Sequence, residues 1–114
     1  MTLVDSNVLL DVLEADPVWG TWSRDRLASA RRQGVLAINP IVYAGIANAV
    51  ANEETLATYS GESDFERRPL PWKAAFLAGR AFREYRKRGG NKTAPLPDFY
   101  IGAHALVEGL TLLT

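Results

Sequence analysis

The chain has no cysteine, a single histidine, a single methionine and no long uninterrupted apolar run. Without cysteine it can build neither a disulfide framework nor a thiolate zinc site, a composition in keeping with a reducing compartment. One histidine, His104, excludes a multi-histidine metal centre, and any Ser-His-Asp triad would have to run through it. The N-terminal run MTLVDSNVLLDVLEAD is interrupted by Asp5 and Asp11 and has no basic residue before it, so it reads as neither a signal peptide nor a membrane span. These absences lead to the expectation of a cytoplasmic protein with no membrane partner.

What is present fits one ordinary domain. The 114 residues are 47% apolar and 23% charged, enough for one core that buries about two-thirds of the unfolded surface. Thirteen basic and thirteen acidic residues cancel overall but are unevenly spread. Residues 1 to 23 carry four acids and no Lys or Arg, whereas residues 80 to 92 carry six basic residues and one acid. Such patches matter for partners more than for fold.

Leu3 and Val4 read as a strand ending at Asp5, with Ser6-Asn7 as cap chemistry for a helix carrying Val8, Leu9, Val12 and Leu13. Asp16-Pro17 is a second helix start, and Trp19, Trp22, Leu27 and Ala30 recur at helical spacing until Gly34. Val35 to Ile38 reads as a buried strand, and Asn39-Pro40 caps the helix IVYAGIANAVAN. A short helix from Glu53 to Tyr59 precedes a polar connection, Gly61 to Pro71, with no period. A longer helix spans about Trp72 to Arg88 and stops at Gly89-Gly90. A loop with Asn91, Lys92 and Pro95 leads to a helix beginning at Pro97-Asp98, closed by Gly109 and followed by the strand-like LTLL.

Strands alternating with helices predict an α/β fold with a central parallel sheet flanked by helices. Ligands of such sheets collect at the carboxyl ends of strands, where Asp5 stands. Because the chain stops directly after its last strand, the expectation is a single domain, residues 1–114, incomplete at its C-terminus.

Two acids are candidates for chemistry. Asp5 at a strand end and Asp98 in a helix first turn are short carboxylates on rigid elements, and converging carboxylates can hold Mg²⁺ or Mn²⁺. The alternative is that Asp98 is only an N-terminal helix charge and Asp5 only a cap, each stabilising by ~0.3–1 kcal/mol. Spacing alone does not separate these readings. His104 lies ~240° around its helix from Asp98, so it reads as a packing or capping residue. Gly45 stands inside a helix, where glycine costs ~0.5–1 kcal/mol relative to alanine and needs a reason, either close approach of a neighbouring backbone or loss of a functional side chain.

The helix from Trp72 adds Arg80, Arg83 and Lys87 on one face with Arg86 nearby, while Trp72, Phe76, Gly79 and Phe82 are assigned to another side. A basic stripe beside an acidic site suits a phosphate backbone, with Arg83 and Arg86 as RNA contacts; a solvated helix end complementing its dipole accounts for some of the charge. Trp19 and Trp22 read as core, or, if exposed, as an anchor for a protein partner.

DSNVLLD at 5–11, NPIVYAGIA at 39–47, LPWKAAFLAGRAFREYRKRGG at 70–90 and PDFYIGAHA through LTLLT at 97–114 together resemble VapC-type PIN domains. The first and last segments are the more specific. The resemblance implies a PIN-like three-layer sandwich, an acidic cluster binding Mg²⁺ or Mn²⁺, endoribonuclease activity in a toxin–antitoxin pair, and restraint by a VapB-type antitoxin. It implies Asp5 and Asp98 as catalytic metal ligands, Asn7 and Thr114 as polar neighbours of that site, and a homodimer as a common assembly.

Two departures accompany the resemblance. The family's second acid falls at Gly45, and a further acid would follow just past Thr114. Asn48 supplies no charge, and Glu53 and Glu54 lie too far along to substitute. The expectation is an impaired nuclease with metal bound weakly or not at all; the alternative is a catalytically inactive PIN-fold module binding an antitoxin or RNA. An unrelated phosphotransfer receiver is disfavoured because no lysine lies beyond Lys92.

Overall fold

The computed structural model describes residues 1–61, 64–94 and 96–114; Pro95 and positions 62 and 63 of the polar connection lie outside the described residues. The elements in chain order are β1 (Thr2–Val4), α1 (Ser6–Leu13), α2 (Gly20–Gln33), β2 (Leu36–Ile38), α3 (Pro40–Ala47), α4 (Glu53–Tyr59), β3 (Glu66–Arg67), α5 (Trp72–Lys87), α6 (Pro97–Glu108) and β4 (Thr111–Leu113). All strands are parallel, in the order β3-β2-β1-β4. Leu36, Ala37 and Ile38 are all buried although consecutive residues of a strand face opposite sides, so helices cover both faces and the three-layer α/β sandwich holds.

The core joins Leu3, Val4, Leu36, Ile38 and Leu113 of the sheet to Val8, Leu9, Val42, Ile46, Ile101 and Ala105 of α1, α3 and α6. Burying these side chains is the main stabilising term, of order ~1.5–3 kcal/mol for each large one. Local signals set several element ends. The Asn39 side chain accepts from Val42 N–H with Pro40 in the first helical turn, and Asn52 likewise caps α4 through Thr55 N–H. Gly109 ends α6 in the left-handed region at φ 64°, turning the chain directly into β4.

The structure corrects four details. The connection after Gly61 contains β3, a two-residue edge strand too short to show a period. α3 ends at Ala47, well before Asn52, because Asn52 is itself the cap of the next helix. The Asp16 carboxylate accepts from Val18 and Trp19 N–H at 2.8 and 2.7 Å, which makes a local turn and delays α2 to Gly20. Asp5, rather than Ser6 or Asn7, occupies the N-cap of α1. Among the described residues no helix is long and apolar enough to cross a membrane.

Candidate active site

From β1 the chain moves to one side through β2 and β3, then returns to pair β4 on the other side of β1. The crevice between the carboxyl ends of β1 and β4 is therefore the topological switch point, where an open parallel sheet leaves room for a ligand. Asp5 ends β1 there, and its backbone N–H donates to Leu113 C=O at 2.9 Å, extending the β1–β4 ladder. Thr114 follows β4 directly, so the sheet register alone sets these two residues side by side.

The Asp5 side chain is 5% exposed, and it does not cap α1 although the residue sits at the N-cap. Its carboxylate accepts instead from Thr114 Oγ1 at 3.0 Å, from Ser6 Oγ at 3.3 Å and, loosely, from Asn7 Nδ2 at 3.5 Å. A carboxylate withdrawn from water and ringed by neutral donors costs folding energy that an N-cap bond would have recovered. The carboxylate thus makes no cap bond to the backbone of α1, and its shortest hydrogen bond is to Thr114 at the end of β4.

Asn7 and Thr114, singled out by the resemblance, both hydrogen-bond to the Asp5 carboxylate. Asp98 lies exposed in the first turn of α6, and no hydrogen bond or ion pair joins it to Asp5 among the described residues. The position of Gly45 has a steric content. A Cβ there would stand 2.8 Å from both Cβ and Oγ of Ser6, closer than side chains approach, so α3 rests against α1 through this glycine. The neighbour is a side chain rather than the backbone that the sequence suggested, and it is the side chain that also donates to Asp5.

A divalent ion needs several oxygen ligands and usually more than one carboxylate. Here one carboxylate is buried, both of its oxygens already accept from neutral donors, and Gly45 offers no side chain where a Cβ would crowd Ser6. Among the described residues no three of His, Cys, Asp and Glu form a group that could hold a metal ion. The residues present do not fit a tightly bound Mg²⁺ or Mn²⁺.

A second buried polar array went unseen in the sequence. Asn39 spends its side-chain oxygen on the cap of α3, which leaves its amide N–H to donate to His104 Nδ1 at 2.9 Å. Nδ1 is therefore the acceptor, and Nε2–H donates to Glu108 Oε1 at 2.6 Å. Arg68 Nε reaches the same oxygen at 2.9 Å, tying the end of β3 to α6. The Arg68 and His104 hydrogen bonds hold the Glu108 carboxyl below the usual range, and the same Glu108 contact raises Arg68. His104 is wholly buried and acts as the packing residue expected; its i,i+4 spacing to Glu108 on α6 is a local signal, whereas Asn39 and Arg68 are too distant in sequence for any spacing rule to unite them with the pair. On α5, Arg83 and Arg86 are exposed, and the Arg86 guanidinium donates to Lys92 C=O at 2.7 Å. Burial raises the Tyr59 phenol, whose hydroxyl donates to Leu9 C=O at 3.1 Å.

A parallel sheet covered on both faces, with a buried carboxylate at its switch point, defines an α/β domain of the kind that gathers charged ligands at its strand ends. The family model described as PIN domain matches residues 2–114, and the chain belongs to that family. It is 34% identical over 114 residues to Ribonuclease VapC10 of Mycobacterium tuberculosis, covering 100% of this chain and 81% of the relative. Two solved structures share the fold. One is VapBC2 from Rickettsia felis bound to a DNA fragment from their promoter, with TM-score 0.71, 20% identity, and 99% of this chain and 85% of that one covered. The other is VapBC-1 from nontypeable Haemophilus influenzae, with TM-score 0.70, 18% identity, and 99% and 84% covered.

Proposed function

We propose that residues 1–114 form a single PIN domain of a VapC-type ribonuclease toxin, acting on RNA in the cytoplasm and restrained by a VapB-type antitoxin. The observation that carries this reading is Asp5, buried at the switch point, making no cap bond to the α1 backbone and hydrogen-bonded to Thr114 across the crevice. Membership of the PIN family and 34% identity to a VapC ribonuclease supply the reaction class. In that class Asp5 and Asp98 are the ligands of Mg²⁺ or Mn²⁺, with Asn7 and Thr114 orienting the first of them. No hydrolytic step follows from the residues present, because Gly45 leaves the site short of charge where a Cβ would crowd Ser6. We therefore assign an impaired nuclease.

The Gly45–Ser6 contact also favours a second reading, a catalytically inactive module that retains antitoxin or RNA binding. Trp19 and Trp22 suit that role: they are 55% and 44% exposed, and their rings meet edge to face at 5.9 Å. Such an aromatic pair is an anchor for an antitoxin segment or for a second protomer.

Incubation of the chain and of Asp5→Asn with single-stranded RNA in Mg²⁺ or Mn²⁺ tests the assignment. Slow cleavage abolished by Asp5→Asn supports the impaired nuclease. Turnover that Asp5→Asn leaves unchanged rejects it, and no cleavage by either protein favours the inactive module.

A further inference from the structure

α5 carries its aromatic and its basic residues on the same face. At ~100° per residue, Trp72, Phe76, Gly79, Arg80, Arg83 and Lys87 fall within an arc of roughly 100°. The buried side of the helix is made by Ala74 and Ala78, both at 0% exposure, whose small side chains let α5 lie close against its neighbours. Trp72 is 92% exposed and Phe76 55% exposed, so these aromatics face solvent and share the side of the basic residues rather than another side of the helix. Arg80 stands over the Phe76 ring, 4.9 Å from its centroid, which fuses the two residue types into one surface.

The charge on this face is of one sign. Glu84 is the sole acid of α5, and its contact with Lys87 is a 3.7 Å pair between side chains more than half exposed, too weakly held to neutralise the stripe. Gly79 leaves the middle of the face without a side chain. An added Cβ there would meet nothing within 4 Å, so no packing among the described residues calls for a glycine that costs ~0.5–1 kcal/mol. A flat spot between Phe76 and Arg83 lets something outside the chain approach the helix backbone. The stripe runs ~22 Å from Trp72 to Lys87. The Tyr85 and Phe99 rings meet at 6.0 Å on the opposite side of α5, the side of Ala74 and Ala78, so the stripe stays clear of the α5–α6 contact.

We infer that this face of α5 is a stacking track for unpaired RNA, with Trp72 and Phe76 receiving bases while Arg80, Arg83 and Lys87 follow the phosphates. The inference rests on the RNA-directed reading above and names the surface that reading requires. Interleaved aromatics and cations are the chemistry of single-strand binding, since every base has a face to stack and every linkage a charge to meet. A second copy of the chain is the weaker occupant, because two such faces would oppose cation to cation.

Fluorescence anisotropy with a labelled, mixed-sequence single-stranded oligoribonucleotide, in EDTA, separates binding from cleavage. The full chain binds, and Trp72→Ala and Phe76→Ala each weaken affinity about fivefold or more. Arg80→Gln with Arg83→Gln weakens it further and flattens its salt dependence. Gly79→Leu also weakens binding while leaving the circular dichroism unchanged, and a duplex of the same sequence binds less well than the single strand. Near-wild-type affinity in the Trp72 and Phe76 variants overturns the track, as does failure of the unaltered chain to bind. A dimer that Trp72→Ala dissociates without altering RNA affinity overturns it in favour of a second copy. Absence of cleavage with binding intact counts against the nuclease assignment alone and leaves the track standing.

Discussion

Gly45 of α3 and Ser6 of α1 touch where a Cβ on the former would lie 2.8 Å from both the Cβ and the Oγ of the latter. Because Ser6 Oγ also donates to the Asp5 carboxylate at 3.3 Å, the packing of two helices and the setting of the candidate catalytic acid depend on one small side chain.

Gly45→Ala should therefore destabilise the protein. In an open helix the same change gains ~0.5–1 kcal/mol, but overpacking costs ~1–3 kcal/mol where the neighbour cannot yield, and the Ser6 Cβ is fixed to the backbone. Urea denaturation of Gly45→Ala, alone and with Ser6→Gly, checks this: the single change lowers stability and the double recovers it. Equal or higher stability in the single variant would mean that the helices separate freely.

Restoring the missing acid should need both positions. Gly45→Glu alone should give little Mg²⁺ affinity, and Gly45→Glu with Ser6→Gly should give more. Stabilisation by Mg²⁺ in a thermal shift reads this without any catalysis. For the unaltered chain, about 1 mM Mg²⁺ should stabilise by no more than ~0.4 kcal/mol, as for a dissociation constant at or above that concentration.

Asp5→Asn should be neutral to stability or raise it. The amide keeps an acceptor for the neighbouring donors while removing a buried charge that meets only neutral groups. Chemical denaturation decides the point, and a loss above ~1 kcal/mol would make Asp5 a structural residue in the manner of an N-cap.

Removing Asn39 should cost more than an exposed cap. Asn39→Ala loses the cap of α3 and leaves His104 Nδ1 buried without a donor, so ~1–3 kcal/mol for the orphaned group adds to ~0.5–2 kcal/mol for the cap. Asn52→Ala, at an exposed cap, serves as the comparison in the same denaturation series.

Glu108 should make stability fall in acid. Its folded pKa is lowered, first by the Arg68 hydrogen bond and then by His104. The stabilisation is fully present above the unfolded glutamate value of about 4.3 and is lost as pH falls through the lower folded value. Glu108→Gln should flatten the acid limb of a stability–pH profile while leaving His104 Nε2–H an acceptor. An unchanged slope between about pH 5 and pH 3 would show that the Arg68 pair contributes nothing.

Much of the fold was legible because its signals are local. Asn39-Pro40 and Gly109 mark helix ends by backbone chemistry that acts within a turn. The apolar runs at Leu3-Val4 and Leu36 to Ile38 have the continuous burial of parallel strands. The edge strand Glu66–Arg67 was not legible, since two exposed charged residues pair with β2 through backbone groups that side-chain periodicity does not report. The exposure of Trp19, Trp22, Trp72 and Phe76 was equally hidden, because helical spacing tells which residues share a face and not which face meets the core. On α5 the small residues Ala74 and Ala78 took the buried side, and the large aromatics were left outside.

Sequence alone determined the α/β class, the placing of Asp5 at a strand end and of Asp98 in a helix first turn, and the absence of a carboxylate at position 45. These are properties of residue type and short-range pattern. Only the tertiary structure decided that Asp5 bonds to Thr114 and makes no cap bond to its helix, that a Cβ at Gly45 would crowd Ser6, and that Asn39, His104, Glu108 and Arg68 form one array. Apart from the i,i+4 link between His104 and Glu108 within α6, these contacts join elements brought together by strand order and helix packing, which short-range pattern does not report.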